Sequence, residues 1–282
     1  MTEESKRLPD VSWKKWGPYV SNREWGVVRE DYSADGDAWN YTNHDTAEAK
    51  TYRWGEEGIC GICDDKQTLV FSLGLWNKKD KMVKERFFGL TNGQGNHGED
   101  VKEYYYYLDN VPTHSYMKML YKYPQSAFPY DELIEKNAQA GKENPEYELI
   151  DTGIFDQNEY FDIFIEYAKS SAEDILIKIT VTNKADRDVP LILLPTIWFR
   201  NSWIWGYDDY RPQLNATNAN RIIVDHKDLT IKNLYAKQSS EVLFCDNESN
   251  NQRLYHSPNS GKFCKDGIND FIINGNQNSV NS

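Results

Sequence analysis

The chain of 282 residues is long enough to bury a full hydrophobic core, and aromatic residues make up 14% of it, more than packing alone usually requires. A formal net charge of −12 without any cluster of Lys and Arg argues against a nucleic-acid partner, because neutralising phosphates requires clustered cations. The first ten residues lack the apolar run of a signal peptide, and no window approaches the roughly 18 apolar residues of a membrane span, so we predict a cytoplasmic protein.

Residues 25–45 read WGVVREDYSADGDAWNYTNHD and combine carboxylates with flat aromatic rings. Rings stack on the apolar faces of a pyranose and carboxylates accept hydrogen bonds from its hydroxyls, so this composition predicts a sugar-binding surface. The stretch from Asp31 to Asp37 also matches the first seven positions of an EF-hand calcium loop, but position twelve is Thr42 where that loop needs glutamate. We therefore interpret the segment as a turn-rich loop that binds no metal.

Four cysteines are present: Cys60, Cys63, Cys245 and Cys264. The CxxC spacing of the first two is shared with zinc and redox sites, but a zinc ribbon needs a second close pair and a thioredoxin-type site needs a βαβ context. Structural free thiols are the favoured interpretation, and we expect no cofactor.

Alternation of apolar and polar residues predicts strands along most of the chain. Residues 68–76 fit a half-buried strand, and 160–168 with 174–183 fit a hairpin. In 100–108 the four consecutive tyrosines favour a strand over a helix. Residues 190–200 are apolar on both faces and predict a central strand interrupted at Pro195. Further short strands are expected at 221–225, 230–235 and 241–245.

One helix is predicted over residues 130–140, with Asp131 as N-cap and Gly141 just beyond its end. The loop-like stretches 30–49 and 89–98 exceed ordinary hairpin lengths, which is typical of functional loops. A zinc site from His97, Glu99 and Asp100 is conceivable in the second of these, but no helical i, i+4 pairing supports it, so a polar loop histidine is favoured.

A second aromatic cluster lies at 198–205, where three tryptophans and an arginine follow an apolar strand. Too many large rings stand together to be fully buried, and both a sugar platform and a protein interface would use such residues. For glycoside hydrolysis, the 44 acidic residues offer many carboxylate pairs, and the sequence gives no reason to choose one of them.

Long blocks of the sequence, including SNREWGVVREDYSADGDAWNYTNHD, TYRWGEEGICGICDDKQ and LPTIWFRNSW, resemble the amino-terminal region of glycoside hydrolase family 63 proteins, the mannosyl-oligosaccharide glucosidase-like enzymes. The resemblance runs from about Trp16 to the end. It implies a galactose-mutarotase-like β-supersandwich that precedes an (α/α)6 barrel. It also implies inverting hydrolysis of α-glucosides by an Asp acid and a Glu base that both lie in the barrel.

Following the resemblance, we predict an all-β supersandwich over residues 1–267 with one or two short helices. No repeated helical hairpins follow Cys264, so we also predict a truncated linker at 268–282 toward an absent catalytic domain. The chain would be an enzyme by lineage only, without catalytic residues or metal, that packs against the barrel and contacts an α-glucosyl oligosaccharide. The alternatives are a stand-alone carbohydrate-binding module and a structural fragment that needs a partner chain. The resemblance places a substrate-binding or inter-domain edge at Trp25, Arg29, Asp31, Tyr32, Asp35, Trp39, His44, Asp45, Asn96, His97, Glu99, Trp198, Arg200 and Trp203.

Overall fold

The structure is a computed structural model that describes residues 1–20, 42–53, 57–95, 100–237 and 241–281. Within these ranges the prediction of an all-β fold with few short helices is confirmed: thirteen strands form four sheets. None of the helices in the described ranges is long and apolar enough to cross a membrane.

The strands are β1 (Trp16–Tyr19), β2 (Ile62–Asp64), β3 (Leu69–Trp76), β4 (Gly89–Leu90), β5 (Asp100–Val101), β6 (Tyr105–Asn110), β7 (Tyr116–Pro124), β8 (Tyr160–Ser171), β9 (Asp174–Asn183), β10 (Ile192–Phe199), β11 (Gln213–Asn218), β12 (Arg221–Asp225) and β13 (Lys232–Tyr235). The α-helices are α1 (Glu3–Arg7), α2 (His44–Ala49), α3 (Tyr130–Ala140), α4 (Asn251–Tyr255) and α5 (Gly267–Asn274). Single 3₁₀ turns occupy Val11–Lys14, Asn92–Gln94, Leu149–Thr152 and Trp203–Trp205.

The chain divides into two compact units, which we call the first and the second unit. The first unit consists of Met1–Ala47 and Trp54–Trp198, and the second consists of Glu48–Arg53 and Phe199–Ser282. The sequence predicted a single domain boundary at residue 267, and that boundary stays a prediction. Helix α5 begins at Gly267, so residues 268–274 of the predicted linker are helical and belong to the second unit.

The sheet β6-β7-β8-β9 is the largest element of the first unit. Its inner face is made by alternate residues of the two central strands, and Met119, Tyr121, Ile163 and Ile165 on this face are fully buried. The alternation of apolar and polar residues along these strands therefore identifies the buried face. The hairpin predicted at 160–183 is confirmed as β8 and β9, and three of the four consecutive tyrosines, Tyr105 to Tyr107, lie in β6 as expected.

Two strand predictions for the sheet β1-β2-β3-β10 are wrong in their details. Strand β3 is buried on both faces, not half-buried, because polar Ser72 and Gly74 on its second face also lie under protein. Among the strands of the described ranges, β10 lies at the edge of this sheet, and it continues through Pro195 without a break. A proline lacks a backbone N–H, which an edge strand tolerates because it need not donate on its outer side.

Helix α3 forms where it was predicted, and it buries Tyr130 and Leu133 in a cluster with Phe88, Leu90 and Leu149. The predicted N-cap is wrong: Pro129 occupies that position without a side-chain hydrogen bond, and Asp131 lies in the first turn. An acidic residue in the first turn still complements the helix dipole. The prediction that Asp131 lies at the start of the helix is therefore correct, but the N-cap is two residues earlier.

The second unit contains the small sheet β11-β12-β13 and a buried polar network. Asn247 Nδ2 donates to the carbonyl of Phe199 at 2.7 Å, and its Oδ1 accepts from Tyr52 N at 3.0 Å and Thr51 Oγ1 at 2.8 Å. The strand predicted at 241–245 does not form in the described residues, where Phe244 makes an isolated bridge with Asn281. Side-chain amides thus replace ladder hydrogen bonds in this part of the unit.

Candidate functional site

The predicted edge falls partly on residues outside the described ranges. These residues are Trp25, Arg29, Asp31, Tyr32, Asp35, Trp39, Asn96, His97 and Glu99. The five others are distributed between the two units: His44, Asp45 and Trp198 belong to the first, and Arg200 and Trp203 belong to the second.

His44 and Asp45 line a small, shallow pocket that is open to solvent in the first unit. They begin helix α2, whose first turn is fixed because Asn43 Oδ1 accepts from Thr46 N at 2.9 Å. The other polar residues that line the pocket are Asn43, Lys81 and Gln94. The other apolar lining residues are Phe88, Tyr130 and Ile134, of which the buried Phe88 and Tyr130 form the floor.

The ring of His44 forms part of the pocket floor and is 4% exposed. It stacks on Tyr130 with ring centroids 5.2 Å apart and meets the edge of Phe88 at the same distance. Such aromatic packing holds the imidazole in one orientation. His44 is therefore a floor residue of the pocket, while Asp45 and Gln94 can offer hydrogen-bonding atoms at its mouth.

Tyr130 connects the pocket floor to a buried charged network that the sequence did not predict. Its hydroxyl donates to Asp80 Oδ2 at 3.1 Å, and Tyr123 donates to the same oxygen at 3.2 Å. Lys84 Nζ lies 4.7 Å from the Tyr130 ring centroid and 3.7 Å from that of Phe128. A cation between two ring faces is favourable where water is excluded.

Glu103 completes this network as the partner of Lys84. Its Oε1 accepts from Lys84 Nζ at 2.7 Å and from the backbone N–H of Phe88 at 3.0 Å, and its Oε2 accepts from Tyr121 at 2.7 Å. Both charged side chains are fully buried. Burial raises the pKa of Glu103, while the Lys84 ammonium and the hydrogen bonds oppose that rise.

Asp80 shows the same balance, since burial raises its carboxyl pKa against the opposing charge of Lys84 and the two tyrosine hydroxyls. These carboxylates hold core side chains together, and Glu103 in particular cannot reach a substrate because it is fully enclosed. The network positions Tyr130 and the pocket floor. Among the described residues, no group of three or more His, Cys, Asp or Glu side chains could hold a metal ion.

Trp198 is 4% exposed and does not form a surface platform. The end of its ring lies 3.0 Å from the place where a Cβ on Gly58 would stand, so it fills space left by the absence of a side chain there. The interpretation of Trp198 as a residue on a sugar-binding or interface surface is therefore wrong: it is a core side chain of the first unit.

The second unit presents an exposed aromatic turn, which we define as residues 203–207. Trp203 Nε1 donates to Glu248 Oε1 at 2.8 Å, and Arg211 donates to the same oxygen at 2.9 Å. Trp205 is 37% exposed and Tyr207 is 89% exposed. Buried Glu248 thus fixes Trp203, and the next rings along the turn face water.

Guanidinium groups flank this aromatic turn. The Arg200 guanidinium lies 5.6 Å from the Trp205 ring centroid, and that of Arg211 lies 6.0 Å from the Trp203 centroid. Exposed rings with donors beside them can stack on an apolar ligand face and hydrogen-bond its oxygens. Arg200 and Trp203 were predicted from the sequence, whereas Trp205, Tyr207 and Arg211 were not assigned individually.

Comparison with known proteins yields one informative relative. The chain is 40% identical over 307 aligned positions to an uncharacterized protein of Saccharomyces cerevisiae, an alignment that covers 95% of this chain and 28% of the yeast protein. This chain thus spans about a quarter of the length of the relative that it matches. No protein-family model matches the chain, and no solved structure matches it.

Proposed function

We propose that this chain is the non-catalytic β-sandwich part of an α-glucosidase-type protein and packs against a catalytic (α/α)6 domain. The resemblance of long sequence blocks to family 63 glucosidase-like proteins supports the lineage. The alignment covers only 28% of the yeast relative, so that protein has additional sequence that is long enough to contain a second domain.

The observation that carries the proposal is a set of apolar side chains on one open face of the sheet β6-β7-β8-β9, which we call the outer face. It carries the residues that alternate with the buried ones. Leu176 on β9 is 62% exposed, and the register places it beside Ala168, which is itself paired with Tyr116. Exposed apolar surface on one sheet face is typical of a site that another protein element covers.

A second apolar row crosses the same outer face. Tyr106 pairs with Leu120, and Leu120 pairs with Phe164, so three large side chains adjoin across three strands. Tyr106 is 44% exposed. Together the two rows supply the apolar centre that a stable interface between domains requires.

Four charged side chains on the outer face form two ion pairs. Lys122 Nζ lies 2.6 Å from Asp162 Oδ1, and Lys178 Nζ lies 3.5 Å from Glu166 Oε2. A covering domain would therefore meet neutralised pairs between the apolar rows, and burying such pairs costs less than burying single charges.

The test is to mix this chain with the separately expressed remainder of the yeast relative and to measure complex formation by analytical ultracentrifugation. We expect a complex, and we expect Leu176→Asp to weaken it at least about tenfold, because a desolvated charge would replace an apolar contact. Ile231→Asp is the matched control, since Ile231 is 69% exposed but lies in the second unit. Equal affinities of the two variants would refute the outer face as the docking surface.

A further inference from the structure

We infer that the aromatic turn of the second unit is a binding site for a neutral oligosaccharide, with Trp205 and Tyr207 as the stacking residues. The inference goes beyond the proposed packing role and rests on the proposed glucosidase lineage only for the choice of an α-glucoside as probe. It concerns a surface that lies wholly within the second unit.

The first argument is the exposure and geometry of the rings. Trp205 and Tyr207 have centroids 6.3 Å apart and an interplanar angle of 57°. Both rings are exposed, Trp205 at 37% and Tyr207 at 89%, and they lie close enough together to contact one oligosaccharide. Aromatic faces suit a pyranose because its axial C–H groups form an apolar patch.

The second argument is that the turn is built on a fixed base. Glu248 is 2% exposed and one of its oxygens accepts from both Trp203 and Arg211. Asn201 Oδ1 accepts from Ile204 N at 3.2 Å, which holds the start of the turn. The base of the turn is therefore ordered before a ligand binds, which lowers the conformational entropy lost there on binding.

The third argument is the chemistry around the rings. Arg200 and Arg211 place two guanidinium groups beside the aromatic turn, and the Arg211 side chain is 60% exposed. Guanidinium groups donate several hydrogen bonds and accept none, so they match the hydroxyl and ring oxygens of a sugar. The Arg211 charge is paired with Glu248, which favours a neutral ligand over an anionic one.

The experiment is isothermal titration of the 282-residue chain with maltoheptaose. We expect saturable binding that Trp205→Ala and Tyr207→Ala each weaken at least about tenfold, with Trp205→Phe retaining most of the affinity. We also expect the affinity to stay the same between about 0.05 and 0.5 M salt, because screening weakens ionic contacts and leaves ring stacking intact.

Tyr235→Ala provides the matched control. Tyr235 is also exposed in the second unit, at 68%, and also lies beneath a guanidinium, with Arg221 5.7 Å from its ring centroid. Its loss should leave maltoheptaose affinity unchanged. Absence of binding by the unmodified chain, or equal losses in the Tyr207 and Tyr235 variants, would overturn the inference. Neither result would affect docking of the outer face, which Leu176→Asp tests independently.

Discussion

Removing the ammonium of Lys84 tests whether the buried network beneath the pocket stabilises the first unit. Lys84→Met keeps the aliphatic length but leaves Glu103 with only the Phe88 N–H and the Tyr121 hydroxyl as donors. At 2.7 Å and an effective dielectric of about 20, the lost attraction is about 6 kcal/mol. Uptake of a proton by Glu103 recovers part of it, so we expect a net loss of about 3–5 kcal/mol in the free energy of unfolding.

The assay is urea unfolding at pH 7 followed by tryptophan fluorescence. Lys81→Met is the matched control, because Lys81 also lies over the Tyr130 ring, at 5.0 Å, but its partner Asp131 is 91% exposed. It should cost less than about 1 kcal/mol. The double variant Lys84→Met/Glu103→Gln should be more stable than Lys84→Met alone, because no unpaired carboxylate remains. Equal losses for Lys84→Met and Lys81→Met would refute this reasoning.

Three further predictions concern other parts of the fold. Gly95→Ala should destabilise the chain by more than about 2 kcal/mol in urea unfolding, because φ is +87° and the new Cβ would stand 2.5 Å from a carbonyl carbon of helix α3. Gly141→Ala is the control: its φ is +66°, but the space around it is open, so it should cost only about 1 kcal/mol. Burial alone would raise the pKa of Glu4, but hydrogen bonds from Thr113 and Ser115 lower it. The stability that these bonds contribute is therefore present above the ordinary pKa of 4.5 and lost as pH falls below it. The protection factors of the helix α1 amides against hydrogen exchange should fall over that range. Glu4→Gln should remove this dependence on pH. Asn247→Ala should cost about 2–4 kcal/mol in thermal unfolding because it removes the side-chain amide that the buried Phe199 carbonyl and Tyr52 N–H bind, and an effect below about 0.5 kcal/mol would contradict the network.

The regular elements could be predicted because their signals are local. The hairpin of β8 and β9 and helix α3 follow from periods of two and 3.6 within ten or so residues. The position of a strand within its sheet is not local, which explains the errors at β3 and β10. Whether a strand is central or at an edge depends on which distant segment pairs with it.

The candidate sites were predictable only in residue type. His44 and Asp45 were chosen with their sequence neighbours, yet the pocket joins them to Lys81, Gln94 and Tyr130 from elsewhere in the first unit. Lys84 forms an isolated bridge with Leu75 of β3, and Glu103 lies between β5 and β6, so their pairing depends on tertiary contacts that the local sequence does not encode. Burial also decided the aromatic cluster: Trp198 and Trp205 look alike in sequence, but the first fills a core and the second faces water.

Hydrolysis of an α-glucoside tests most directly whether this chain is the non-catalytic part of a glucosidase-type protein. The chain should be measured alone and together with the remainder of the yeast relative, with maltoheptaose as substrate and released glucose as the readout. Hydrolysis needs an acid and a base on opposite sides of the scissile bond, and the proposed lineage would place both in the catalytic domain. We predict no turnover by the chain alone and turnover by the mixture. Glucose release by the purified chain alone would contradict the proposal.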